Sequence, residues 1–336
     1  MSLRVLPLLT LLAAAPAAVH AAPQACAPST QDRLWMQGAV DAWFSTAHDR
    51  LGIYAGDPPD FVFFDGACAY RTGSTAAGAR YDGPRFAGRR LDWRAAPHGG
   101  EVALPGGGAV PARVVSFASP YDRDRQAFMV MGLPDLWRAG GVRSGMGLET
   151  MMTAVFIHEM THTRQFYAFA PRMAALTAKY GLPNDISDDT LQETFKDDRD
   201  YVAAFEAERA LLLRAVAADD DAEARRLAAE ALASAKARRA RFFTGDKARW
   251  AELEDTFLTL EGVGQWAAWA WLTDPKGGAL PADRALPLFR RNGRFWSQDE
   301  GLLVMILVDR LVPNWRERAF AAEPAPIFAL WETAAA

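Results

Sequence analysis

Apolar and polar positions change their period near the middle of the chain. From Gln31 to Thr46, the apolar residues Leu34, Trp35, Ala39, Val40, Trp43 and Phe44 recur at helical spacing and predict a helix. Asp57-Pro58-Pro59-Asp60 then breaks the chain. Phe61-Val62-Phe63-Phe64 and Ala67 to Arg71 read as strands, punctuated by Asp65-Gly66. Residues 72–100 are rich in Gly, Arg and Pro and read as loop. Glu101 to Leu104, then Pro105-Gly106-Gly107-Gly108, then Ala109 to Ala118 read as a hairpin, and Ala127 to Gly132 as a further short strand. A small antiparallel sheet is the expectation for this half.

Beyond residue 143 the period becomes helical. Leu148 to Ile157 is mostly apolar, lacks proline and glycine, and follows Ser144 and two glycines that suit a helix start. The signal continues through Phe166, Tyr167 and Phe169 to an expected stop at Pro171. Asp200 to Ala217, Asp221 to Phe243 and Lys247 to Leu272 are alanine-rich with helical periodicity. Ser297-Gln298-Asp299-Glu300 matches a capping box before Leu302 to Val312, which Pro313 ends. The fold class expected is α+β, one domain over residues 22–336, with a sheet-containing part at 22–143 and a helical part at 144–336.

Residues 1–21 read as a signal peptide: Arg4 supplies the positive start, Val5 to Val19 is almost wholly apolar, and Val19-His20-Ala21 offers small residues before a cut. No later run is long enough to span a membrane. The mature chain is expected to be secreted or periplasmic. In such a compartment the only two cysteines, Cys26 and Cys68, invite a disulfide, with two buried thiols as the alternative. The formal charge of −4 carries no face-wide excess of Lys and Arg, which argues against a nucleic-acid partner. Arg225, Arg226, Lys236, Arg238, Arg239 and Arg241 cluster among acids on one helix and read as a solvated face.

The chemistry concentrates in His158-Glu159-Met160-Thr161-His162. Two histidines four apart share one helix face, where both imidazoles can grip one metal ion. Glu159 sits about 100° round the helix and can take a proton from water at that ion. Chance gives H-E-x-x-H in roughly one chain in two hundred of this composition, and the apolar helix around it favours function over chance.

This segment resembles the zincin metallopeptidases, with uncharged Val155, Phe156, Met160, Thr161 and Thr163 where that family has uncharged residues; Arg164 departs from the pattern. The resemblance implies one Zn2+ per chain, a sheet beside the motif helix with an edge strand against the substrate, and a peptide or protein substrate. A catalytic zinc usually has three protein ligands and water. The metzincin third ligand is absent, since Gln165 and Ala168 stand at its glycine and histidine positions. His48 and His98 lie in loop-like segments upstream. A downstream glutamate is therefore expected. Leu260-Glu261-Gly262-Val263-Gly264-Gln265-Trp266 resembles the Glu-Gly-x-Ala-x-Tyr segment of gluzincin-like peptidases, with Gly264 and Trp266 as departures. That resemblance implies Glu261 as ligand, and Gly262 and Gly264 would let its helix approach the first closely. Glu206 and Glu208 compete for the role. Glu254, two turns before Glu261, reads as a solvated carboxylate or as a residue behind the ligands.

The function expected is an exported zinc hydrolase of the metallopeptidase type. His158, His162 and Glu261 would hold zinc and Glu159 would act as base. Tyr167 and Tyr201 could donate to an oxyanion, with buried packing as their default. A non-catalytic exported zinc-binding protein of the same fold uses the same residues and is the alternative. A ferritin-like di-iron site needs a second Glu-x-x-His, and no other histidine has glutamate three residues before it.

Overall fold

The computed structural model describes residues 26–121, 127–183 and 185–336; the signal-peptide expectation for residues 1–21 lies outside them. Helix α1 (Thr30–Ser45) comes first, its end capped by Ser29, whose hydroxyl accepts from the Asp32 amide at 3.1 Å. Trp35, Ala39, Val40 and Trp43 form its buried face, as the spacing predicts, but Leu34, counted with them, is exposed. The strands are β1 (Asp60–Phe64), β2 (Cys68–Arg71), β3 (Ala79–Tyr81), β4 (Trp93–Pro97), β5 (Glu101–Ala103), β6 (Ala109–Pro111), β7 (Ser116–Pro120) and β8 (Ala127–Gly132). The main sheet runs in the order β3-β4-β2-β1-β8-β7, and β5 and β6 pair as a separate hairpin.

The sheet is mixed, which corrects the antiparallel expectation. β1 pairs antiparallel with β2 but parallel with β8, Phe61 opposite Met129 and Phe63 opposite Met131. A parallel pair needs cover on both faces, and β1 has it. Phe61 and Phe63 stack with Trp93 and Phe156 in the main core, while Val62 and Phe64 enter a second cluster with Val102, Phe128 and Val130. Residues 72–100 are not all loop, because β3 and β4 lie there and pair with each other and with β2. The stretch Ala109 to Ala118 splits: β6 pairs with β5, and β7 turns away to pair with β8, Ala118 opposite Met129. β7 is thereby the last strand of the main sheet. The Cys26–Cys68 disulfide forms and ties the segment before α1 to β2.

Helices follow: α2 (Pro134–Ala139), α3 (Leu148–Tyr180), α4 (Thr190–Phe195), α5 (Arg199–Val216), α6 (Asp221–Phe242), α7 (Trp250–Thr273), α8 (Ala282–Arg290), α9 (Trp296–Leu311), α10 (Trp315–Ala319) and α11 (Ile327–Ala335). The motif helix α3 runs through Pro171 instead of stopping there, and ends at Gly181. A proline inside a helix costs about 3 kcal/mol. Contacts beyond it offset that cost: Met173, Leu176 and Tyr180 join an aromatic cluster with Phe195, Tyr201 and Trp250. Arg172 also pairs with Asp255 at 3.3 Å and Lys179 with Glu252 at 2.5 Å.

The capping box at Ser297 is likewise replaced. Helix α9 begins two residues earlier, with Phe295 at its cap position, and the Trp296 amide donates to Gln192 Oε1 at 3.0 Å. Ser297 instead donates to the Asp188 carbonyl at 2.9 Å, and Glu300 is buried. Helix α7 is packed against both α3 and α9. A Cβ built on Gly262 would lie 2.9 Å from the Gly301 carbonyl oxygen, so α7 and α9 meet almost backbone to backbone. No helix among the described residues is long and apolar enough to cross a membrane.

Candidate metal centre

Helix α3 carries His158, Glu159 and His162 one turn apart or less, all buried. One donor atom from each lies within 4.8 Å of the others, a spacing that can hold a metal ion. The two Nε2 atoms face each other at 2.8 Å. From α7, Glu261 closes on them: Oε2 is 3.3 Å from His158 Nε2, and Oε1 is 3.4 Å from His162 Nε2. Ligands at about 2.0–2.1 Å on a tetrahedral ion stand about 3.3–3.4 Å apart. The carboxylate-to-imidazole distances match that edge, while the imidazole pair is drawn in closer.

Three further observations fit a cation. Glu261 Oε2 is buried without a hydrogen-bond partner, although such atoms are rarely left orphaned. Burial lowers the His162 pKa, but the Glu261 charge and hydrogen bond, together with Glu159 and Gln165, outweigh it and lift the group to about 9. Burial raises Glu261, yet His162 and His158 outweigh it and hold the carboxyl below the ordinary glutamate range. The pocket thus favours a negative Glu261 with positive charge opposite it. Gln165 fixes one imidazole: its Oε1 lies 3.0 Å from His162 Nδ1, and its amide nitrogen donates to the Thr259 carbonyl at 3.2 Å. A hydrogen bond at Nδ1 of this kind orients Nε2 toward a metal.

The glycines on α7 have separate duties. A Cβ at Gly264 would sit 2.9 Å from both His158 Nδ1 and His162 Cε1. Gly264 therefore gives the imidazoles their room, whereas Gly262 serves the α7–α9 contact and not the approach to α3.

The Glu159 carboxylate also reaches the sheet. Its Oε2 accepts from the Ala118 amide on β7 at 3.0 Å. Glu159 and His158 line a cleft of about 450 Å³, with Ser116, Trp137, Gln265 and Arg290 among its walls.

The competing glutamates are engaged elsewhere. Glu206 pairs with Arg209 at 2.7 Å. Glu208 and Glu254 both hold Arg238, at 2.8 and 2.7 Å, and all three side chains are sealed from solvent. This corrects two expectations: Glu254 is not solvated, and the basic cluster on α6 is not all surface. Burial foremost, and then the neighbouring Glu208, push Glu300 well above the ordinary glutamate range. Arg239 also pairs with Glu254, at 2.5 Å. Neither tyrosine is at the cleft. Tyr167 donates to the Ala321 carbonyl at 2.5 Å, and Tyr201 accepts from Arg238 at 2.7 Å. His48 is exposed beside Asp49, and His98 is bonded to the Asp65 carbonyl at 2.9 Å.

Gln165 and Asp188 are the residues that sequence reasoning missed. Gln165 had a signal, since it lies three positions after His162 on the same helix face. Asp188 had none: it comes from the loop before α4. Burial, followed by the Glu261 charge, pushes it up to about 8. Comparison with protein-family models, curated proteins and solved structures returns no match for this chain.

Proposed function

We propose that the chain is an exported zinc-dependent hydrolase of the metallopeptidase type. The observation that carries this reading is the Glu261 carboxylate, held 3.3 and 3.4 Å from the two Nε2 atoms while Glu159 faces a cleft beside β7. Two imidazoles and one carboxylate are a donor set that suits zinc. In this reading His158, His162 and Glu261 hold the ion. When bound, it supplies Lewis acidity that ionises water near neutral pH and polarises a carbonyl.

Glu159 does the proton work. Fixed by the Ala118 amide, it can take a proton from water in the cleft and return it to the leaving amine. The neighbouring strand β7 offers backbone groups along which an extended peptide can lie. Gln165 keeps His162 in place throughout. The Cys26–Cys68 disulfide supports an oxidising, extracytoplasmic location.

The test is Glu159→Gln against a broad peptide library. The variant should keep its metal and its melting temperature and lose about 10²-fold or more in turnover, as expected for a missing general base. Metal lost with Glu159 would make it a ligand and refute the assignment. A wild-type chain that holds zinc and cleaves nothing in the library would favour a non-catalytic zinc-binding protein.

A further inference from the structure

The cleft is lined by four arginines, Arg143, Arg290, Arg291 and Arg294, and by two acids, Glu159 and Asp299. Asp299 is fully engaged. It accepts from Arg290 Nε at 2.5 Å and from Arg290 Nη2 at 2.8 Å, and it lies 3.0 Å from Arg209. Arg143 donates only to the backbone carbonyl groups of Val142 and Arg138. No carboxylate pairs with Arg143, Arg291 or Arg294 among the described residues. Protein packed around the Arg291 guanidinium, and the like charge of Arg294, lower its pKa from the ordinary arginine value. Both side chains still reach solvent.

The loop that presents them is held from beneath. Arg209 is buried and donates to the Gly293 carbonyl at 3.0 Å. Gln192 donates to the Arg294 carbonyl at 3.0 Å, and its other amide atom takes the Trp296 amide. Arg291 adopts a left-handed backbone, φ +49°, which is strained for an L-residue and persists only when its surroundings enforce it. Both guanidinium groups lie over the Phe295 ring, 5.8 Å from its centroid for Arg291 and 5.4 Å for Arg294, a cation–π arrangement that limits their wandering. Neighbouring like charges are thus kept together on a preorganised frame; Asp189 is near enough to feel the Arg294 charge but makes no ion pair with it.

We infer that this wall receives a carboxylate of the substrate, so that the cleft selects acidic peptides. The inference rests on the hydrolase reading for what happens next, but not for the binding itself. Arginine is suited to bidentate carboxylate recognition. The carboxylate can belong to an Asp or Glu side chain or to a free C-terminus, and the two sources are separable.

Four dye-labelled decapeptides of one sequence serve as probes: with Asp and Glu, or with Asn and Gln in their places, each with a free or an amidated C-terminus. Anisotropy with the full mature Glu159→Gln chain avoids cleavage during the measurement. A carboxylate peptide should bind roughly tenfold or more tightly than its amide counterpart at low salt, and high salt should weaken it. The arm that carries the gain identifies side chain or terminus. Arg291→Gln with Arg294→Gln should erase the gain and leave the neutral peptide unchanged. Equal affinity for all four, no binding at all, or a preference that survives the double change would overturn the inference. Wild-type digestion of the same peptides separates the two proposals. Cleavage without charge preference defeats this inference and leaves the hydrolase. Charge-selective binding with no cleavage does the reverse.

Discussion

Gly264→Ala tests whether the two imidazoles and Glu261 work as one site. The added methyl would stand 2.9 Å from His158 Nδ1 and His162 Cε1, and 3.1 Å from His158 Cε1. Ordinary contact begins at 3.4 Å, so the rings must retreat by about 0.5 Å. Metal sites hold their ligand distances to within about ±0.2 Å. The retreat exceeds that tolerance, so zinc affinity should fall by roughly 10–100-fold, the size seen when ligand orientation is disturbed. The metal-free fold should change little. Alanine gains about 1 kcal/mol of helix preference over glycine, against an overpacking cost of about 1–3 kcal/mol. Chelator competition gives the affinity, and thermal melts with and without chelator give the stability. Gly262→Ala is the control, because its Cβ would meet the Gly301 carbonyl oxygen at 2.9 Å, where backbone must yield. It should lose stability by about 2 kcal/mol or more while keeping zinc affinity. Unchanged zinc affinity in Gly264→Ala, or loss of it in Gly262→Ala instead, would refute the division of roles.

Two other perturbations have worked-out signs. Arg238→Met removes the cation between Glu208 and Glu254 and should cost about 3–5 kcal/mol in urea unfolding, as for a buried pair broken on one side; a loss below about 1 kcal/mol would mean water reaches the network. Burial lifts Asp32 from 3.8 to about 6, so the folded chain holds that proton more tightly than the unfolded one. This contribution is complete below pH 3.8 and is lost as pH rises through about 6. Asp32→Asn should therefore match wild type near the lower value and exceed it by up to about 3 kcal/mol well above the upper one, at ~1.4 kcal/mol for each pH unit between the two. A pH-independent difference between the two would contradict the burial argument.

The helices were legible because each carries its own apolar stripe, as α1, α5 and α6 do within a residue or two of their expected ends. Departures come where distant residues decide. Pro171 is a local stop signal, but the aromatic cluster against Met173 and Leu176 carries the helix on. The box at Ser297 is displaced by Gln192, more than a hundred positions away. The parallel pairing of β1 had a trace in the unbroken apolar run Phe61 to Phe64, since alternation is lost when both faces are covered. At the site, spacing alone placed His158 and His162 on one face, and the resemblance of Glu261-Gly262 and its neighbours to a gluzincin segment pointed to α7. The Ala118 amide behind Glu159 and the arginine wall could not be seen, because they join segments with no local pattern in common.

Elemental analysis of the purified protein, beside His162→Ala and Glu261→Ala, tests the central claim most directly. Wild type should carry close to one zinc per chain, with Glu206→Ala and Glu208→Ala unchanged in metal content. His162→Ala and Glu261→Ala should both lose the ion under dialysis while keeping helical circular dichroism. A wild-type chain without a transition metal, or a Glu261→Ala chain that retains zinc as firmly as wild type, would contradict it.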